Sequence, residues 1–176
     1  MNLETIPVNQ FSALPCQIWS GTWFLLTSGD FNKNDFNTMT VAWGSIGTMW
    51  NKPFVQVVVR PTRYTFEFME RYDSFTLSAF QPEHRDALML LGSKSGRDGN
   101  KIAEAGLTPC AAALVAAPTF AEANLVIECA KIYWQDMDAS HFLAENINNN
   151  YPLKDYHRVY FGEILSIRGN ESYVQK

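Results

Sequence analysis

Two arginines and two threonines meet in the hexapeptide Arg60-Pro61-Thr62-Arg63-Tyr64-Thr65. Before it lies Phe54-Val55-Gln56-Val57-Val58-Val59, an apolar run suited to a strand buried on both faces. After it, Thr65, Phe66 and Met69 recur at three- and four-residue spacing, the mark of a short amphipathic helix with Thr62 as its N-cap. Free amides at a helix start, guanidinium groups and hydroxyls together form a seat for a phosphate monoester. The same hexapeptide also suits two solvated arginines beside a capping threonine, so the surrounding elements must decide.

Other chemistries lack their residues. Gly92, Gly96 and Gly99 do not space as GxGxxG, no glycine precedes Lys-Ser or Lys-Thr in Walker spacing, and no serine sits in GxSxG. His84, His141 and His157 show no metal-ligand spacing, so no metal is expected. Cys16, Cys110 and Cys129, odd in number and far apart, suggest reduced thiols in a cytosolic protein rather than a disulfide framework.

The elements that must position the hexapeptide read mostly as strands. Trp23-Phe24-Leu25-Leu26-Thr27 and Met39-Thr40-Val41-Ala42-Trp43 predict a hairpin, with the polar segment 28–37 as its long loop. Residues 75–80, 124–134 and 159–167 predict further strands. A second helix is expected to open at Pro82 and run to Gly92, and a third over 100–105. Hairpins first, with helices as inserts, predict a mainly β chain, an antiparallel barrel or sandwich with peripheral helices.

With 176 residues, 47% hydrophobic and 18% charged, the chain suits one folded domain spanning 1–176. The net charge of -4 offers no long-range attraction to nucleic acid. No apolar run is long enough for a membrane span, and Met1-Asn2-Leu3-Glu4 does not resemble a secretion signal, so a soluble cytoplasmic protein is expected.

In order and spacing, Asn37-Thr38-Met39-Thr40-Val41-Ala42-Trp43-Gly44, the Arg60 hexapeptide and Phe75-Thr76-Leu77-Ser78 resemble the flavin reductase-like family of FMN-binding split barrels. So do Gly92-Ser93-Lys94-Ser95-Gly96-Arg97-Asp98, Lys101, Leu107-Thr108-Pro109, Glu128-Cys129, His157 and Phe161-Gly162-Glu163. The resemblance covers roughly residues 12 to 168 and implies an antiparallel split β-barrel. It also implies a homodimer, FMN as cofactor, and NADH or NADPH as co-substrate of a flavin reductase, with a noncatalytic flavoredoxin-like electron carrier as the alternative. Carried over, Arg60, Arg63, Tyr64 and Thr65 surround the phosphate. Asn37, Thr38, Met39, Thr40 and Trp43 line the ring and ribityl chain, followed by Ser78, Ala79 and Phe80. Lys101, His157 and Phe161 close over the flavin, with Lys101 and His157 as donors to its N1 and C2 carbonyl edge. Trp43 and Phe161, taken alone, suit plain core packing better than a flavin contact, and residues 133–155 depart from the family pattern.

Overall fold

The computed structural model describes residues 3–175. In chain order its elements are β1 (Glu4–Thr5), α1 (Pro15–Gln17), β2 (Phe24–Asp30), β3 (Asp35–Val41), β4 (Gly44–Met49), β5 (Lys52–Val59), α2 (Tyr64–Arg71) and β6 (Ser74–Ala79). There follow α3 (Arg85–Ser93), α4 (Lys101–Glu104), β7 (Pro109–Cys110), β8 (Thr119–Phe120), β9 (Leu125–Asp136) and β10 (Arg158–Gly169). The main sheet is antiparallel in the order β3-β2-β6-β9-β10-β5-β4, with β1 added to β10.

That order forces the sheet to curl. β3 and β4 are its two edges, yet only Ala42 and Trp43 separate them in sequence. Three Cα steps span at most about 11 Å, so the edges approach each other at this end without pairing, and the barrel is split. Its interior is filled by Phe24, Leu26, Val55, Val57, Met69, Phe75, Ile127 and Tyr160. A second cluster, with Leu25, Phe80, Leu88, Leu91 and Phe120, lies on the opposite face of β2 beneath α3. The two clusters together explain why β2 is buried on both faces.

Several expectations need correcting. The polar segment 28–37 is not a long loop: Ser28, Gly29 and Asp30 pair with Asn37, Phe36 and Asp35, leaving only residues 31–34 as the turn. Its polar side chains serve packing, for Ser28 Oγ donates to Ser74 O at 2.9 Å and Asn37 Nδ2 to Thr65 Oγ1 at 2.7 Å. Thr62 does not cap α2; Arg63 occupies the cap position, and Thr62 Oγ1 donates to Asp155 at 3.4 Å. β4 went unpredicted because Gly44-Ser45-Ile46-Gly47 is poor in strand formers; it exists by pairing with β5 across a two-residue turn at Trp50 and Asn51. The helices at 85–93 and 101–104 match expectation, the first running one residue past Gly92.

Candidate functional site

β5 ends where Pro61 cannot donate to a ladder, and Thr65, Phe68 and Met69 bury one face of α2 immediately afterwards. The junction therefore lies beside β3 and the loop that leaves α3. Around it are two connected hollows that share Met39 and Arg63.

The smaller hollow, a notch of about 70 Å³, is lined by Asn37, Thr62, Arg63, Tyr64, Thr65, residues 91–96 and Lys101. At the start of α2 the Phe66 amide is taken up by Arg63 O at 2.9 Å, so it is the Tyr64 and Thr65 amides that have no intrahelical partner. Thr65 accepts from Asn37, which leaves its hydroxyl hydrogen free to donate into the notch. The loop is clamped in place. Arg97 pairs with Glu67, lies over the Tyr64 ring at 4.8 Å, and Lys94 pairs with Glu104. Lys101, only 4% exposed, donates from Nζ to Leu91 O and Lys94 O, both at 2.9 Å. Among the described residues neither Lys101 nor Arg63 has a carboxylate partner. Burial, with the Arg63 charge adding to it, pulls the Lys101 ammonium down to about 8. A buried cation held only by neutral carbonyls beside a second cation is the electrostatic form of an anion site.

The larger hollow, about 300 Å³, lies at the split in the barrel and is lined by Met39, Thr40, Val41, Ala42, Trp43, Val58, Arg60, Arg63 and His157. Thr40 Oγ1 donates to Leu88 O at 2.5 Å, fixing β3 to α3. Trp43 is 48% exposed, its ring 5.3 Å from the His157 imidazole. Burial, then the Arg60 charge, lowers the His157 pKa to about 4, with Asp155 opposing and Arg63 adding to the effect, so its ring is neutral at pH 7.

The structure thus brings together Asn37, Met39, Thr40, Trp43, Arg60, Arg63, Tyr64, Thr65, Lys101 and His157. Within this set two positions differ from expectation. Arg60 faces the larger hollow and is engaged by Asp155 at 3.1 Å and Asn150 O at 2.7 Å, and Lys101 lies at the notch rather than at the other end. The remaining expected residues line neither hollow. Strand alternation turns Thr38 inward, where its hydroxyl donates to Leu26 O at 3.1 Å. β2 intervenes between β3 and Ser78, Ala79 and Phe80; Ser78 Oγ lies 3.0 Å from Thr119 Oγ1, and Phe80 belongs to the second core. Phe161 packs with Phe54, Trp50 and Tyr133 on another surface. Sequence reasoning missed Val58 and Asp155; the run Gly92 to Gly99, readable from sequence either as a second phosphate-side loop or as a connector, contributes residues 92–96 to the notch.

A family model described as a flavin reductase like domain matches residues 19–174. No curated protein matches the chain. Among solved structures, flavoredoxin of Desulfovibrio vulgaris (Miyazaki F) is similar at 24% identity, over 91% of this chain and 73% of that one, with a TM-score of 0.66. An FMN-binding domain of a flavin reductases-like enzyme from Shewanella baltica OS155 is similar at 18% identity over 99% and 83%, TM-score 0.71. An NADH:FAD oxidoreductase of Streptomyces globisporus C-1027 is similar at 14% identity over 83% and 74%, TM-score 0.61. The split-barrel fold is common to them.

Proposed function

The chain belongs to the flavin reductase-like family, and from that premise we propose an FMN-dependent oxidoreductase, a NAD(P)H:flavin reductase. One observation carries the reading: the buried Lys101 ammonium and Arg63 face the notch with no counter-ion among the described residues, and a phosphate dianion there would offset their charge. Arg63, Lys101, the Thr65 hydroxyl and the leading amides of α2 would hold the phosphate, with Asn37 orienting Thr65. Met39, Thr40, Trp43 and Val58 would line the ring, and His157 would offer it a neutral N–H donor. When bound, FMN supplies a two-electron acceptor for hydride chemistry. The exposed Trp43 leaves the ring end open, as a nicotinamide co-substrate, NADH or NADPH, requires.

A second reading, a noncatalytic flavoredoxin-like carrier, is favoured by the bulky Tyr151 and Tyr156 packed beside His157 at that same end. Under either reading we expect a cytoplasmic homodimer, joined through the exposed aromatic surface of Trp50, Tyr133 and Phe161. The test is a fluorescence titration of the purified protein with FMN and with riboflavin. FMN is expected to bind at one per chain and more tightly than riboflavin. A protein that arrives colourless and takes up no added FMN refutes the reading.

A further inference from the structure

Tyr151 lies in the segment that departs from the family pattern, and it is tied to the ring end of the cleft through one bond. Its hydroxyl is 2.8 Å from His157 Nδ1. Both side chains are buried, at 5% and 9% exposure. The phenol ring is held from several sides: Phe142 stacks on it at 6.0 Å, Tyr156 lies at 5.0 Å and the Arg60 guanidinium at 5.0 Å. Arg60 is itself fixed by Asp155 and by Asn150 O. The position of the hydroxyl is thereby set before any ligand arrives.

We propose that Tyr151 is a positioning residue for His157: its O–H donates to Nδ1 and fixes the imidazole as the Nε2–H tautomer, presenting a neutral N–H donor to the cleft. The inference rests on the reading of that cleft as the flavin and co-substrate site. The charged groups facing His157 are Arg60 from the end of β5, Arg63 from the start of α2 and Asp155, whose carboxylate is engaged by Arg60. Two cations and one committed carboxylate leave the imidazolium without a stabilising partner, so the ring is neutral and carries one N–H. The phenol has one hydrogen and two acceptors in reach, Nδ1 at 2.8 Å and Met137 Sδ at 3.6 Å. An imidazole nitrogen is the stronger acceptor and the nearer one, so the hydrogen goes to Nδ1. The proton of the neutral ring then sits on Nε2, the nitrogen left to serve the cleft that His157 lines. Such a donor recognises a carbonyl oxygen or a ring nitrogen without adding charge.

The test uses the cofactor-free protein labelled with ¹⁵N-histidine, with the His157 signals assigned by their loss in His157→Gln. The wild type is expected to show a single Nε2–H tautomer at pH 7 and to protonate with a midpoint near 4, as burial and Arg60 dictate. Tyr151→Phe keeps the ring packing and removes only the hydroxyl. It is expected to give a mixture of tautomers and a midpoint raised towards the ordinary histidine value, because the bond that favours the neutral ring is gone. A wild-type Nδ1–H tautomer overturns the proposal even if the variant does not fold, and so does a folded Tyr151→Phe with an unchanged tautomer. A separate titration with FMN reports on the cofactor reading, so a protein that fails to bind FMN while showing the Nε2–H tautomer separates the two.

Discussion

Arg60 and Arg63 are three positions apart and do different work. Arg63 faces both hollows, and among the described residues its guanidinium makes only one long bond, to Gly92 O at 3.4 Å, so it is available to an anion. Arg60 is committed to Asp155 and Asn150. Arg63→Ala should therefore weaken FMN by roughly tenfold to a hundredfold, the ~1.5 to 3 kcal/mol of a charge-assisted bond, and leave riboflavin unchanged. Arg60→Ala should weaken both equally, because it releases Tyr151 and Asp155 at the ring end; selective loss of FMN on its removal would contradict this division. The clustering of cations and hydroxyls in the hexapeptide was legible, but the separate fate of Arg60 was not, since Asp155 lies 95 residues away in sequence. Lys101 was expected at the other end of the flavin; its position at the notch is set by the carbonyls of Leu91 and Lys94 at the end of α3, close in sequence but fixed only once that helix end folds over it. Its ammonium titrates near 8 in the free protein. A phosphate dianion beside it raises that value, so above about pH 8 FMN binding takes up a proton and affinity falls as pH rises. The phosphate does not confuse the measurement, its second pKa being about 6. Calorimetry at about pH 8.5 in buffers of different ionisation heat should show this uptake for FMN and none for riboflavin.

The notch depends on three elements meeting: β3, α2 and the loop between α3 and α4. Gly96 marks their closest approach, for an added β-carbon would overlap Asn37 Oδ1 and come within 3.0 Å of the Tyr64 ring. Gly96→Ala should push the loop off β3 and lower FMN affinity, with the thermal midpoint nearly unchanged because the loop lies outside both cores. A variant that binds FMN as well as the wild type would show the notch to be more pliable than this packing implies. The segment 137–156 is secured differently, by Arg60 to Asp155 and Tyr151 to His157. Here the folded state lowers the His157 pKa to about 4 from 6.5. Between those values the unfolded chain binds more protons, so stability is fully present above 6.5 and is lost as pH falls to 4, by about 3 kcal/mol at most. Urea unfolding at pH 7 and about 4.5 should show this loss in the wild type and a smaller one in His157→Gln, the difference isolating one histidine from the carboxylates that also titrate. Strands with dense apolar or β-branched runs, such as β5 and β9, were readable from local sequence. β4 and the ends of β2 and β3 were not, because they are built from Gly, Ser, Asp and Asn and owe their extension to partners across the sheet.

At the scale of the molecule, the strand order places the larger hollow where the chain crosses from one open edge of the barrel to the other, and this crossing carries Trp43. Barrel curvature was implied by the order of elements, but the position of the split was not, since it depends on which strands pair at long range. On the surface of β4, β5, β9 and β10, Trp50 adopts a left-handed φ of 54°, is 56% exposed, and meets Tyr133 and Phe161. A tryptophan held in a strained turn and left exposed suits a surface covered by a second copy. Trp50→Asn relieves the turn and removes the apolar contact, so it should convert a dimer to a monomer in sedimentation with no loss of fold; a monomeric wild type would exclude the assembly. The enzyme and carrier readings differ in what the ring end must admit. A reductase has to bring a nicotinamide ring to a near-attack distance of about 3 to 3.5 Å, which demands an open approach to one face of the flavin. A carrier needs only an exposed edge and tolerates a covered face. Trp43 stands half-exposed at that end, while Tyr151 and Tyr156 pack beside His157, on each other and on Phe142. On the proposed reductase reading, the FMN-loaded protein should bleach within seconds when mixed anaerobically with NADH or with NADPH. A flavin band that persists with both nucleotides and disappears with dithionite would exclude the reductase and leave the carrier.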